Sequence, residues 1–239
     1  MKKFCLIFFI GALAACSKNH DNSVTTPPLT GLTRMKMQTS GATVYTYFYD
    51  SQARMVKMEN SNGSRKEYEY AAGKVTRKYY NTSGVYQYSI IEELNTDGYT
   101  FHSTYSNQPT WEYLYTYNAD KTMAKQVVHV NGTTVKDYFW SNGNLDSIRF
   151  SSQNGTWNYT NVMTYYAAQA NVLSDDVFGE QYWGKNSKNL LKSSVNHFPD
   201  GSSSIKDDFT YEFDGEGKVI KQTITSDNGN IEITLNAYN

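Results

Sequence analysis

Aromatic residues recur at every second position in short runs along most of the chain, and this periodicity constrains the fold more than any other feature. Tyr45, Tyr47 and Tyr49 share one parity, with Thr46 and Asp50 among the other. Tyr68 and Tyr70 alternate with Glu67 and Glu69. Tyr113, Tyr115 and Tyr117 alternate with Glu112, Leu114 and Thr116, and Phe209, Tyr211 and Phe213 with Thr210, Glu212 and Asp214. Period two with one polar face is the pattern of an antiparallel strand covered on one side.

The turns are as explicit as the strands. Eight of the 16 glycines follow Asn or Asp, a pairing favoured in tight hairpins because both residues tolerate positive φ. The pattern predicts about 14 to 15 short strands, at 32–38, 43–49, 54–60, 64–70, 74–80, 85–93, 99–105, 111–117, 122–130, 134–140, 145–151, 157–164, 206–213 and 218–226. A last one at 230–237 carries Ile231, Ile233 and Leu235 on one face. Connections this short join sequence neighbours antiparallel. The predicted class is all-β, an up-and-down meander over residues 32–239 rolled into a barrel or a strongly curled sheet. Composition agrees. Ser, Thr and Asn number 68 of 239 residues, whereas Ala and Leu number 13 and 11, so a helical bundle or a doubly wound α/β fold is excluded. With 15% aromatic residues the chain has enough to bury to escape disorder.

Between Tyr166 and Lys206 the alternation lapses, and an irregular insertion is expected over about 167–205. Ser174 before Asp175-Asp176 suits the start of a short helix, and Phe178 and Tyr182 would share a face. Gly179 and Gly184 keep it poor and short, and residues 185–191 suit a second turn or two. Exposed apolar clusters usually mark contacts, so Phe178, Tyr182, Trp183, Leu190 and Leu191 are expected to dock this segment on one rim as a plug.

The first 16 residues read as an address. Met1-Lys2-Lys3 precedes an apolar run from Phe4 to Leu13, half of the ~20 residues that a spanning helix needs, and Leu13-Ala14-Ala15-Cys16 closes it. This pattern resembles the lipobox of bacterial lipoproteins, which implies a signal peptide over 1–15, lipidation of Cys16 and a membrane anchor. Ser17 after the cysteine resembles sorting to the outer membrane. Residues 16–31, ending near Pro27-Pro28, would be a flexible tether. Loss of the leader leaves 20 basic against 23 acidic residues, a balance that argues against nucleic-acid binding. It also leaves Cys16 as the lone cysteine, without a disulfide or thiolate site.

A weak repeat of 21 to 24 residues runs through the domain: an aromatic, a turn, then a basic or apolar residue. Tyr49-Asp50 leads to Met55-Val56-Lys57, Tyr70 to Lys74-Val75, Tyr117-Asn118 to Met123, Trp140 to Leu145, and Phe213-Asp214 to Lys218-Val219. The unit resembles diverged YD repeats of the Rhs type. The whole region is similar to the Bacteroidota lipoproteins whose domain of unknown function is described as porin-like. That resemblance implies a fold and an envelope location, and no activity.

Chemistry is hard to find in the sequence. His20, His102, His129 and His197 lack metal-ligand spacing, no nucleophile elbow or phosphate loop occurs, and no metal, cofactor or catalytic residue is expected. Asp214-Gly-Glu-Gly-Lys218 reads as a hairpin, not a calcium loop. Strand tyrosines are expected to form the core. Tyr182 and Trp183, outside the strands, are the candidate ligand-binding pair. The leading functional expectation is a non-catalytic, lipid-anchored envelope module with a glycan or protein partner. The alternative is an envelope carbohydrate hydrolase using acidic residues of the insertion, such as Asp175 and Asp176. Glu67 and Glu69 make the polar strand faces unsuited to lipid, so a water-exposed domain is expected.

Overall fold

The computed structural model describes residues 34–239. The leader, Cys16 and the tether lie outside the described residues. Sixteen strands follow one another: β1 (Met35–Ser40), β2 (Thr43–Tyr49), β3 (Met55–Asn60), β4 (Arg65–Ala71), β5 (Lys74–Tyr80) and β6 (Tyr86–Leu94). Then come β7 (Thr100–Tyr105), β8 (Gln108–Tyr117), β9 (Met123–His129), β10 (Thr133–Ser141), β11 (Asn144–Ser152) and β12 (Trp157–Ala170). A short helix α1 (Asp175–Phe178) and a 3₁₀ turn (Gln181–Trp183) precede β13 (Asn189–His197), β14 (Asp207–Phe213), β15 (Val219–Ser226) and β16 (Ile231–Tyr238).

Each strand pairs antiparallel with its sequence neighbour, and β1 pairs with β16. The meander therefore closes into a barrel, and closure leaves no sheet edge unpaired. The turn chemistry follows from the Asn and Asp residues. Asn95 Oδ1 accepts from the Asp97 and Tyr99 N–H groups at 3.0 and 2.9 Å. Asp214 Oδ1 accepts from Glu216 and Lys218, both at 2.9 Å. A side chain that satisfies two loop donors holds the hairpin shut.

The repeat has a physical basis at one end of the barrel. An inward aromatic near the end of the second strand in a hairpin donates to a carbonyl near the start of the first. Tyr49 Oη reaches Met35 O at 2.6 Å, Tyr70 reaches Met55 O at 2.8 Å, and Tyr117 reaches Thr100 O at 2.7 Å. Trp140 Nε1 reaches Met123 O at 2.7 Å, and Tyr165 reaches Leu145 O at 2.7 Å. Tyr211 closes the series on Leu191 O at 2.9 Å and Tyr238 on Val219 O at 2.8 Å. In the β5–β6 hairpin Leu94 stands at the end of the second strand and has no hydroxyl to donate. The residues that open these hairpins, Met35, Met55, Val75, Thr100 and Val219, are fully buried in a ring below the rim.

The structure differs from the sequence reading in three places. Residues 189–197 form β13, which takes over the end of the turn expected at 185–191, and β12 runs on to Ala170, so within 167–205 the residues outside strands are 171–188 and 198–205. The Ile231, Ile233 and Leu235 face points outward, where with Met37 it forms an exposed apolar stripe at the β16–β1 seam. Ser174 precedes α1 with extended backbone but makes no capping bond with its side chain.

Candidate functional site

Residues 171–188 cross the mouth of the barrel at the ladder end. Gly179 lies against the β2–β3 turn. Farther along, the Lys185 N–H donates to Lys121 O at 3.0 Å and the Lys188 N–H to Gly143 O at 3.0 Å. The segment is thus hydrogen-bonded to two turns of the rim before it enters β13. Two glycines allow this approach. A Cβ on Gly179, at φ +72, would lie 2.8 Å from Met55 N; one on Gly184, at φ +87, would lie 2.7 Å from Tyr117 Cε1. Those glycines serve close contact with the barrel as well as ending the helix.

The plug's apolar side chains point into the barrel. Phe178 meets the Tyr47 ring edge-on at 5.4 Å, and Val177 and Tyr182 are buried in the same cluster as Met55, Tyr68 and Val75. Trp183 lies 5.5 Å from Tyr115 and 5.3 Å from Tyr182, ring to ring. Both residues expected to bind ligand therefore pack into the plug, and Tyr182 retains only 5% exposure. Leu190 is buried too, but from β13.

Beneath Trp183 lies a buried charged cluster. The Arg77 guanidinium sits 5.4 Å below the indole and donates to Glu92, which also accepts from the Ser103 hydroxyl. Burial works against the Arg77 charge, but the adjacent Glu92 carboxylate overrides it and raises the guanidinium above its ordinary value. Lys66, on the neighbouring strand, is held below its ordinary value by burial and by the Arg77 charge. Burial raises the Tyr68 and Tyr182 hydroxyls, and the Glu180 carboxylate adds to both shifts. Glu92 and Glu93 are not the surface pair that their adjacency suggests. Alternation sends Glu92 inward on the parity of Tyr88 and Ile90, while Glu93 meets His102 on the outer wall at 3.2 Å. The parity was present in the sequence and marks Glu92.

In the plug, burial pushes Asp175 up to about 6, with repulsion from Glu180 and Asp176 adding and an Asn186 hydrogen bond opposing. Neither Asp175 nor Glu180 lines the cavities at the rim. One cavity, of about 410 Å³, is bounded by Arg54, Tyr70, Lys74, Tyr99, Gln181 and Tyr182 among others. The second, of about 520 Å³, is bounded by Tyr99, Ser174, Asp176, Gln181, Lys185 and Asn186 among others. Tyr99 and Gln181 belong to both, so the two form one groove between plug and rim.

The outer wall is charged. Lys57–Glu59 at 2.9 Å, Arg65–Glu67 at 2.7 Å and Lys221–Glu212 at 2.7 Å are cross-strand or same-strand pairs on it. His102 and His129, far apart in sequence, both approach Glu112, at 3.2 and 3.8 Å. Among the described residues no group of three or more His, Cys, Asp or Glu is arranged to hold a metal ion. A band of such charges is unfavourable against lipid, by ~2–4 kcal/mol for each Lys or Arg at mid-depth.

No protein-family model matches the sequence, and no curated protein matches it. Solved structures do. A porin-like protein from Bacteroides uniformis superposes with a TM-score of 0.61 at 14% identity, covering 86% of this chain and 98% of that one. A porin-like protein from Bacteroides vulgatus gives 0.58 at 13% identity, covering 87% and 99%. These likenesses place the chain in the same barrel fold.

Proposed function

We propose that the chain is a lipid-tethered, non-catalytic β-barrel module of the cell envelope that holds a glycan or protein partner at its plugged end. The plugged mouth carries this reading. A segment anchored across the opening by buried Val177 and Tyr182 and half-buried Phe178 and Trp183 makes the barrel a poor conduit, and Glu92, the fully buried carboxylate, is engaged by Arg77 and Ser103. The charged outer wall favours water around the barrel. Attachment through Cys16 rests on the resemblance of Leu13-Ala14-Ala15-Cys16 to a lipobox, and an outer-membrane address on Ser17 after it. Tyr182 enters as part of the groove wall and Trp183 as the side chain that seats the plug.

Asp175 favours a second reading, an envelope carbohydrate hydrolase, because a carboxyl held near 6 suits a general acid. Against it stands the position of Asp175 and Glu180 away from the groove, which leaves Asp176 without a second insertion carboxylate on the lining. One experiment separates the two. All strands of the closed barrel lie within 34–239, so the chain from Ser17 onward retains it. Incubated with immobilised envelope polysaccharides, that chain is expected to be retained without releasing reducing ends. Release of new reducing ends that Asp175→Asn abolishes would make the hydrolase reading correct. Incorporation of labelled palmitate that Cys16→Ser removes tests the tether.

A further inference from the structure

The groove between plug and rim presents several polar groups that no other described side chain engages. The tyrosines at the rim tie their hydroxyls to backbone carbonyls, as at Tyr49, Tyr70, Tyr165, Tyr211 and Tyr238. In the groove the Tyr99 hydroxyl, the Gln181 amide, the Ser174 hydroxyl and the Lys74 ammonium make no hydrogen bond with the described residues. They come from four places in the chain: the β6–β7 turn, the 3₁₀ turn, the residue before α1, and the start of β5. Tyr70, Val75 and Leu94 add apolar surface to the lining of the first cavity.

The walls are rigid. The Tyr99 ring is held 5.4 Å from Tyr117, whose hydroxyl is tied to Thr100 O at 2.7 Å. Arg54 lies 4.3 Å over Tyr70 and is fixed by Asp50, so its charge is already matched. Lys121 is likewise paired with Asp97 at 2.6 Å. With Arg54 and Lys121 matched, Lys74, Asp176 and Lys185 remain as charged hydrogen-bonding groups of the lining, and the groove suits a ligand rich in hydroxyls that both donate and accept. Its two cavities, at about 410 and 520 Å³, each fall in the ~300–1,000 Å³ range of small-molecule sites.

We infer that this groove binds an oligosaccharide of at least two sugar units, one in each cavity, with Tyr99 and Gln181 bridging the join. A sugar matches the groove because each ring offers apolar C–H faces and an edge of hydroxyls that both donate and accept. This assignment rests on the binding-module reading above and gives it a location and a ligand class.

The test uses the chain from Ser17 and an array of oligosaccharides of two to six units, followed by calorimetry with the strongest binder. Tyr99→Ala and Gln181→Ala are each expected to weaken binding at least tenfold with an unchanged melting temperature. Tyr99→Phe, which removes only the hydroxyl, should fall between wild type and Tyr99→Ala, and the matching monosaccharide should bind far more weakly. Trp157→Ala, exposed on β12, should bind as wild type does. Two results would overturn the inference. If an oligosaccharide binds and folded Tyr99→Ala binds it equally well, the groove is wrong while the binding-module reading stands. If no oligosaccharide binds, the saccharide assignment fails, and retention of an envelope protein would still support a module with a protein partner.

Discussion

Tyr70 reaches back across its hairpin to donate its hydroxyl to the carbonyl of Met55 at 2.8 Å, and the corresponding bond recurs around the barrel. It is the physical content of the sequence repeat: an aromatic at the end of one strand, and a carbonyl at the start of the strand before it. Tyr70→Phe keeps the ring and removes the donor, so it is expected to destabilise the domain by about 1–2 kcal/mol. Tyr238→Phe should be milder, because Val219 O also accepts from Asn236 Nδ2 at 3.0 Å. Urea unfolding of the two variants checks the order, and equal losses would contradict it.

Trp183 seats the plug between Tyr115, Tyr182 and Arg77. Trp183→Ala should destabilise by about 3 kcal/mol, as other buried large-to-small changes do. Trp157→Ala, on an exposed ring, should stay within about 0.5 kcal/mol. Trypsin should then cut Trp183→Ala at Lys185 or Lys188 faster than wild type. If both variants were cleaved as slowly as wild type, the plug would not depend on the indole.

At Gly184 any side chain meets Tyr117 Cε1 at 2.7 Å and Lys121 O at 2.9 Å, with φ at +87. Gly184→Ala should destabilise by ~2 kcal/mol or more, since strain and overlap act together. Gly201→Ala, at a similar φ of +84 but with open space around it, should show the backbone component alone. The difference between them in thermal unfolding measures the contact with the rim.

The Asp175 carboxyl, raised by burial from 3.8 to about 6, binds its proton more tightly in the fold than in the unfolded chain. The associated stabilisation is complete below about pH 3.8 and is lost as pH rises through about 6. Asp175→Asn lacks that loss. Relative to wild type it should be more stable at pH 7, on the order of 2 kcal/mol, and equal near pH 4. Urea midpoints of both chains at the two pH values give the comparison, and a constant difference across pH would contradict it.

Strand positions were legible because period two survives in nearly every strand, and the hairpins because Asn and Asp announce them. β13 was not, because no aromatics alternate along it and small polar residues fill both faces: Asn196 and Ser194 meet Asn161 on one, and Ser193 meets Thr164 on the other. The end of β12, Ala167-Ala168-Gln169-Ala170, carries helix-favouring residues that pairing overrides. The plug was legible as an apolar cluster, but which way Trp183 faced was not. The ladder bonds span 14 to 20 residues and change donor from Tyr to Trp, so no local motif encodes them. The groove escaped notice for a related reason. Tyr99 and Gln181 come together only when the barrel closes and the plug crosses it.

Ion pairs on the outer wall and a plugged mouth favour a barrel that stands in water and needs no detergent once the proposed tether is removed. Detergent phase separation of the chain from Ser17 onward tests it most directly. Recovery in the aqueous phase as a folded barrel is expected. Recovery in the detergent phase, as a folded barrel, would contradict it.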